Sequence, residues 1–181
     1  MRKILLFVLF LFFSSFVLAE NTIQKTREKQ VDAFLREFSS QAFKESYPNI
    51  FTAIKQVLIL LPPDAFAKAT NRAFPVLFTE APHFGTGQWA NSSGIYSEPN
   101  DPPTFTDGIW IIKLSTKLNE TKDVEAIEGV IFHEIAHHVL GHKGGVFNPE
   151  IEKEANRLVK KWGFERQYLK AKEAFGSKAT H

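Results

Sequence analysis

The sequence contains no cysteine among its 181 residues and has almost no net charge. Without thiols the chain cannot be a disulfide scaffold, a cysteine-ligated zinc finger or a thiol protease. The net charge of +2 at pH 7 comes from Arg2 and Lys3, because residues 20–181 carry 20 basic and 20 acidic side chains. A nucleic-acid-binding surface needs a basic excess on one face, so we expect no nucleic-acid partner.

Long apolar runs are also missing, except at the N-terminus. Residues 1–19 combine a basic start, an apolar run from Ile4 to Phe13 and a small-residue site that ends at Ala19. This pattern is typical of a secretory signal peptide, and the apolar run is shorter than the ~20 residues that span a bilayer. We expect a protein exported to the periplasm or secreted, without a stable membrane anchor after cleavage before Glu20; an uncleaved anchor is the alternative.

The mature chain, residues 20–181, has the size and composition of one globular domain. Its first part repeats apolar residues at helical spacing, and short β-branched or aromatic runs follow. We predict a single compact domain of the α+β class, mostly helical with a small sheet. The expected helices cover residues 31–42, 50–61 and 64–73, and the expected strands cover residues 75–79, 94–97 and 108–115.

A further helix is predicted from Asp123, a suitable N-cap residue, to Gly141. Apolar residues lie on almost every side of it, which is typical of a helix in the centre of a domain. Three polar side chains, those of His133, Glu134 and His137, fall within these apolar surroundings. Their burial is costly unless each is paired or bound to a metal ion.

The segment from His133 to His137 has the pattern H-E-x-x-H. Four residues turn a helix by about 400°, so the two imidazoles lie about 40° apart and one turn from each other. Both can reach one metal ion, while Glu134 projects beside it and suits a base that activates water. With this content of histidine and glutamate, chance predicts about 0.02 copies of the pattern in the chain. Catalytic zinc also needs a third protein ligand.

A third histidine in the arrangement of the metzincins is not present. That motif requires glycine and histidine where this chain has Leu140 and Lys143, and Gly141 and His142 are each one residue out of step. On a continuous helix His142 lies about 180° from His133. It can therefore not share their metal ion unless the helix is broken.

The next predicted helix offers two other candidates for the third ligand. It begins at Asn148-Pro149 and ends before Gly163. Glu152 and Glu154 lie on opposite margins of its buried stripe, so both can face the preceding helix. Either glutamate would complete the two-histidine, one-glutamate set of a gluzincin.

A family resemblance rests on two segments, HEIAHHVLGH at 133–142 and EKEAN at 152–156. Together they resemble the H-E-x-x-H and E-x-x-A-D motifs of the HtpX and CaaX-prenyl-protease type of zinc metallopeptidase. They are also similar to the E-x-E-A-N version in antitoxin-type metallopeptidases that cleave phage repressors. The resemblance covers about residues 108–163, and Asn156 stands where the first family has aspartate. It implies Zn²⁺ as cofactor, Glu152 as the third ligand and a minimal zincin-like domain.

The expected function is that of an exported zinc metalloendopeptidase acting on a peptide or protein substrate. His133, His137 and Glu152 would hold the metal, and Glu134 would be the catalytic general base. The main alternative is a non-catalytic zinc-binding module, chaperone-like or partner-binding, in which Glu134 has no evident use. A further option is a protein that binds a lipid surface through its phenylalanine-rich first helices.

Two features of a peptidase stay open at the level of sequence. The group that stabilises the oxyanion has three candidates, His142, Arg157 and Tyr168. An extended substrate could pair with the edge of a strand beside the metal, either residues 108–115 or residues 94–97.

Overall fold

The computed structural model describes residues 22–82, 89–96, 107–142 and 148–176. The predicted signal peptide lies outside these residues. Within them, no helix combines the length and the apolar character needed to cross a membrane.

The described residues form seven helices, a 3₁₀ turn and three strands, which confirms the predicted α+β class. The strands are β1 (Val76–Ala81), β2 (Ala90–Tyr96) and β3 (Gly108–Ser115). The helices are α1 (residues 22–38), α2 (Gln41–Ser46), α3 (Pro48–Leu60), α4 (Pro63–Ala69), α5 (Val124–Leu140), α6 (Pro149–Lys161) and α7 (Glu165–Phe175), and the 3₁₀ turn is Thr116–Glu120.

The first predicted helix extends further towards the N-terminus than its apolar residues and is interrupted before Ala42. Its N-terminal part is already helical at residue 22, because residues with good helix propensity precede the apolar stripe. Its C-terminal part is interrupted at Ser40, whose side-chain oxygen accepts a hydrogen bond from the Phe43 N–H at 3.0 Å and caps a separate helix, α2. The third predicted helix is shorter than expected, since α4 ends at Ala69.

The sheet is mixed, with strand order β1-β3-β2. β1 runs parallel to β3, with Val76 opposite Trp110, and β2 runs antiparallel to it, with Ala90 opposite Leu114. β3 has the range expected from the sequence, but β2 is longer than expected. It begins at Ala90, four residues before the expected strand, because the polar residues 91–93 pair with the apolar central strand and this pairing outweighs their low strand propensity.

Helix α5 is the centre of the domain, as its apolar sequence predicts. Every residue from Ala126 to His137 is buried. α3, α6 and α7 pack against α5 from the helical side, and β2 and β3 cover it from the sheet side. Asp123 caps its first turn by accepting a hydrogen bond from the Ala126 N–H.

The unexpected helix α7 approaches α5 closely at Gly129. A Cβ atom at this position would overlap the backbone carbonyl group of Gln167 and would contact the Ala171 side chain. The absence of a side chain at Gly129 therefore sets the distance between the two helices.

We expect Gly129→Ala to lower the free energy of unfolding by about 1–3 kcal/mol, because the added methyl group forces the helices apart. Helix propensity alone predicts the opposite change, since alanine normally stabilises a helix relative to glycine by about 0.8–1.0 kcal/mol. A loss of stability would therefore indicate the close contact. Guanidinium denaturation measures the change, and Ala67→Gly at an exposed position of α4 calibrates the propensity effect. A Gly129→Ala protein more stable than wild type would contradict this packing.

Glu128 is a second constraint on the contact between α5 and α7. Its side chain is buried and forms a hydrogen bond with the side chain of Gln167. Burial raises the pKa of Glu128 from 4.5 to about 7, and the charges of Glu125 and Asp123 add to the increase, while the hydrogen bond opposes it. Below pH 4.5 the carboxyl group is neutral in both the folded and the unfolded chain.

The folded chain binds an additional proton between pH 4.5 and 7, so stability should fall as the pH rises through this range. Above pH 7, we therefore expect Glu128→Gln to have a free energy of unfolding higher than that of wild type by on the order of 2–3 kcal/mol. The measurement is the free energy of unfolding of both proteins from pH 4 to 8. Parallel pH profiles for wild type and variant would show that Glu128 carries no such penalty.

Candidate metal centre

Helix α5 presents the two histidines of the H-E-x-x-H segment on one face. The Nε2 atoms of His133 and His137 lie 3.0 Å apart, and both rings are buried. The rings are one helical turn apart and nearly perpendicular, with an interplanar angle of 85°. This arrangement agrees with the prediction that both imidazoles can reach one point.

Helix α6 brings the third group. Its start is fixed by Asn148, whose side-chain oxygen accepts a hydrogen bond from the Glu150 N–H at 3.0 Å, with Pro149 in the first turn. Glu152 follows within that turn and is buried. Its Oε2 atom lies 3.0 Å from His133 Nε2 and 3.4 Å from His137 Nε2.

The structure thus brings together His133, His137 and Glu152, a buried group that could hold a metal ion. Of the two glutamates that the sequence left open, Glu152 faces the histidines. Glu154 is half exposed and lies 3.2 Å from His142. No other group of three potential ligands is found in the part of the chain that the structure describes.

The spacing of these three atoms is close to that of ligands around one metal ion. Nitrogen and oxygen ligands at about 2.0–2.1 Å in a tetrahedron lie about 3.3–3.4 Å from one another. The distances observed among the Nε2 atoms of His133 and His137 and the Oε2 atom of Glu152 are 3.0, 3.0 and 3.4 Å. The three atoms are therefore close to the size of one coordination shell.

Contacts behind the two rings determine where their protons are. The Nδ1–H of His133 donates to Asn156 Oδ1 at 3.0 Å, which leaves a lone pair on His133 Nε2. The Nδ1 atoms of His137 and His142 are 2.8 Å apart, and His142 Nε2 lies 3.2 Å from Glu154 Oε2. Because a carboxylate only accepts, His142 donates its Nε2–H to Glu154 and accepts the Nδ1–H of His137. Both ligand rings then present Nε2 lone pairs to the same point.

The electrostatics of the cluster attract positive charge. When the two rings are protonated on Nε2, the hydrogen bonds and charges of His133 and His137 lower the pKa of Glu152 to about 2, although burial alone would raise it. Burial opposes protonation of His137, yet the hydrogen bond to Glu152 and the charges of Glu134 and Glu152 raise its pKa above the usual 6.5. The same negative potential favours a metal cation at this point.

Glu134 lies beside the cluster without a comparable partner. Its side chain is buried, and its charge acts on His137. Within the described residues, no hydrogen bond holds its carboxylate. The described side chains therefore leave the carboxylate of Glu134 free to bind a further group beside the cluster.

The other candidates from the sequence lie elsewhere or have different contacts. Arg157 is exposed and donates its Nε–H to the Lys153 carbonyl oxygen of its own helix. Tyr168 is buried on α7 beneath the ammonium groups of Lys160 and Lys172. Neither is placed at the cluster, and both ring nitrogens of His142 are occupied.

The sequence does not predict two contacts of the cluster. Asn156 stands where the resembling family has aspartate, and its amide oxygen accepts a hydrogen bond from His133. His142 is a candidate from the sequence only for stabilising the oxyanion, and its contact with His137 is not predicted because His142 is out of phase on a continuous helix. The signal that could have found it is Gly141, a residue suited to end a helix and to redirect the chain.

Comparisons with known protein families, with curated proteins and with solved structures find no significant match to this chain. The resemblance to metallopeptidases therefore stays a prediction from the two sequence motifs.

We expect metal-free protein to bind one equivalent of zinc, which is favoured over manganese by the two imidazoles. At a zinc concentration of about 100 times the dissociation constant, stability should rise by about 2.7 kcal/mol. His137→Ala and Glu152→Gln should lose tight binding because each removes one of the three ligands. Glu150→Gln, on the exposed side of the same helix, is the matched control and should bind zinc as wild type does.

Isothermal titration and thermal unfolding measure binding and stabilisation. Tight binding of one equivalent by Glu152→Gln would show that the third ligand is a different group.

Proposed function

We propose that this chain is a zinc-dependent metallopeptidase that hydrolyses peptide bonds. The observation that carries the proposal is the combination of three converging ligand atoms with the buried carboxylate of Glu134 beside them. The signal-like pattern of residues 1–19 supports export to the periplasm or out of the cell.

The proposed mechanism gives the residues of the site three different roles. His133, His137 and Glu152 would hold the metal, and Asn156 and His142 fix the orientation of the two imidazoles. A bound zinc ion supplies Lewis acidity, which lowers the pKa of water to about 7 and polarises a carbonyl group. Glu134 accepts the proton of the attacking water and passes it to the leaving amine.

A purely structural zinc site accounts less well for these features. A structural site has no use for a buried carboxylate that stands beside the ligands. The buried side chain of Glu134 next to the ligand group therefore supports a catalytic site.

The sheet offers one edge for an extended substrate near this site. β3, one of the two strands considered from the sequence, is excluded because β1 and β2 occupy both of its edges. β2 contacts α5, and its outer edge has no partner strand among the described residues. Its last residues, Ile95 and Tyr96, are exposed, and Tyr96 stacks on Phe74, which also stacks on His138 next to the ligand His137. We infer that a peptide pairs with this end of β2.

We expect Glu134→Gln to lower the rate of peptide cleavage by about 10²–10⁴-fold, since the amide cannot accept the proton. Zinc affinity should stay close to that of wild type, because Glu134 is not a ligand. Glu128→Gln on the opposite side of α5 is the matched control and should keep full activity. The assay is cleavage of denatured casein and of a peptide library by zinc-loaded protein.

Two results would speak against the peptidase. Unchanged cleavage by Glu134→Gln would assign the activity to another group or to a contaminant. Stoichiometric zinc in a wild-type protein that cleaves neither casein nor the library would favour the non-catalytic zinc module.

A further inference from the structure

The end of helix α5 places His142 directly behind a metal ligand. Gly141 has φ +74°, a left-handed conformation that favours glycine, and the described residues place no atom beyond its chain neighbours within 4 Å of the position of its missing Cβ. The Gly141 N–H donates to the His138 carbonyl oxygen at 3.0 Å, and the His142 N–H donates to the His137 carbonyl oxygen at 3.1 Å. These two hydrogen bonds define a Schellman motif.

In this motif the residue after the glycine usually contacts the side chain five positions before it. That contact is most often apolar. Here it joins the Nδ1 atoms of His142 and His137 at 2.8 Å. The helix break that the sequence argument required is thus present, and it directs His142 to the rear of His137 rather than to the metal position.

His142 is itself held from the far side by α6. Its ring is 10% exposed, and its Nε2–H donates to Glu154 Oε2 at 3.2 Å. Glu154 is 53% exposed, so the series of hydrogen bonds extends from the buried ligand to a solvated carboxylate. Because both nitrogens of His142 form hydrogen bonds, its ring has one orientation in which Nδ1 can accept the hydrogen bond from the Nδ1–H of His137.

We propose that His142 is a positioning residue for the ligand His137 and that Glu154 orients His142. This inference rests on the metal site of the proposed function. His142 keeps the proton of His137 on Nδ1 and the lone pair on Nε2, where it faces His133 and Glu152. Outer hydrogen bonds of this kind typically change metal affinity by 10–100-fold.

A different role for His142, in packing at the end of α5, would give different results. A packing role predicts that every variant without the His142 ring weakens zinc binding to the same extent, and so does any other variant that loosens this helix end. Lys68 provides the comparison, because its ammonium group donates to the Val139 carbonyl oxygen at 3.0 Å and secures the same helix end without touching a ligand.

The experiment measures the zinc dissociation constant of the full mature chain by competition with a chelator. His142→Ala should bind zinc 10–100-fold more weakly than wild type. His142→Asn should recover most of the affinity, because the asparagine Oδ1 takes the place of the imidazole Nδ1 as acceptor. Lys68→Ala should bind zinc as wild type does.

Glu154→Ala tests the outer half of the series. It should weaken zinc binding severalfold in the wild-type background and leave it unchanged in the His142→Asn background, where the imidazole Nε2–H is gone. Nitrogen-15 spectra of the zinc-bound protein provide a second readout. The slowly exchanging Nδ1–H of His137 should be visible in wild type and in His142→Asn and lost in His142→Ala.

The possible failures are distinguishable. A wild-type chain that binds no zinc overturns the metal site and this inference together. Wild-type zinc binding that His142→Ala weakens by less than twofold overturns the positioning role alone. Equal weakening by His142→Ala, His142→Asn and Lys68→Ala also overturns it and assigns the effect to packing.

Discussion

Three potential ligand atoms meet in the interior of this domain, and the surrounding elements hold them in place. His133 Nε2, His137 Nε2 and Glu152 Oε2 all lie within 3.4 Å of one another, and at such distances a proton or a metal cation must lie between them to prevent repulsion. Burying these polar atoms costs free energy, and the burial of the apolar surfaces of α5 against α3, α7 and the sheet offsets that cost. Helix α6 adds the carboxylate from a start fixed by Asn148 and Pro149.

Helix α5 contains two buried carboxyl groups beyond the ligand set, and their surroundings give them different chemistry. Glu128 faces α7, forms a hydrogen bond with Gln167 and has a pKa raised by burial to about 7. Glu134 lies on the same helix close enough for its charge to raise the pKa of His137. The first affects stability through pH, and the second is the general base of the proposed mechanism.

The parts of the structure that the sequence predicts are those with a strong periodic or motif signal. Helix α5, strand β3, the start of α6 and the pair of candidate ligands on α6 are examples. The choice between Glu152 and Glu154 depends on how α6 packs on α5, which no local pattern contains. The length of strand β2 likewise depends on packing, since its polar residues 91–93 are strand residues only because they pair with β3. Helix α7 has only a narrow buried stripe, Tyr168 and Ala171, and gains its stability from contact with α5.

His142 shows how one residue of phase changes the meaning of a motif. Counted along a continuous helix it points away from the metal, and this argument correctly excludes it as a ligand. Gly141 ends the helix and reverses the direction of the chain, so the same one-residue displacement brings His142 against the far nitrogen of His137. A histidine at this position acts on the metal through another histidine rather than by coordination. The glycine that is out of step with the metzincin pattern therefore has its own structural function, which is to build the contact behind the ligand.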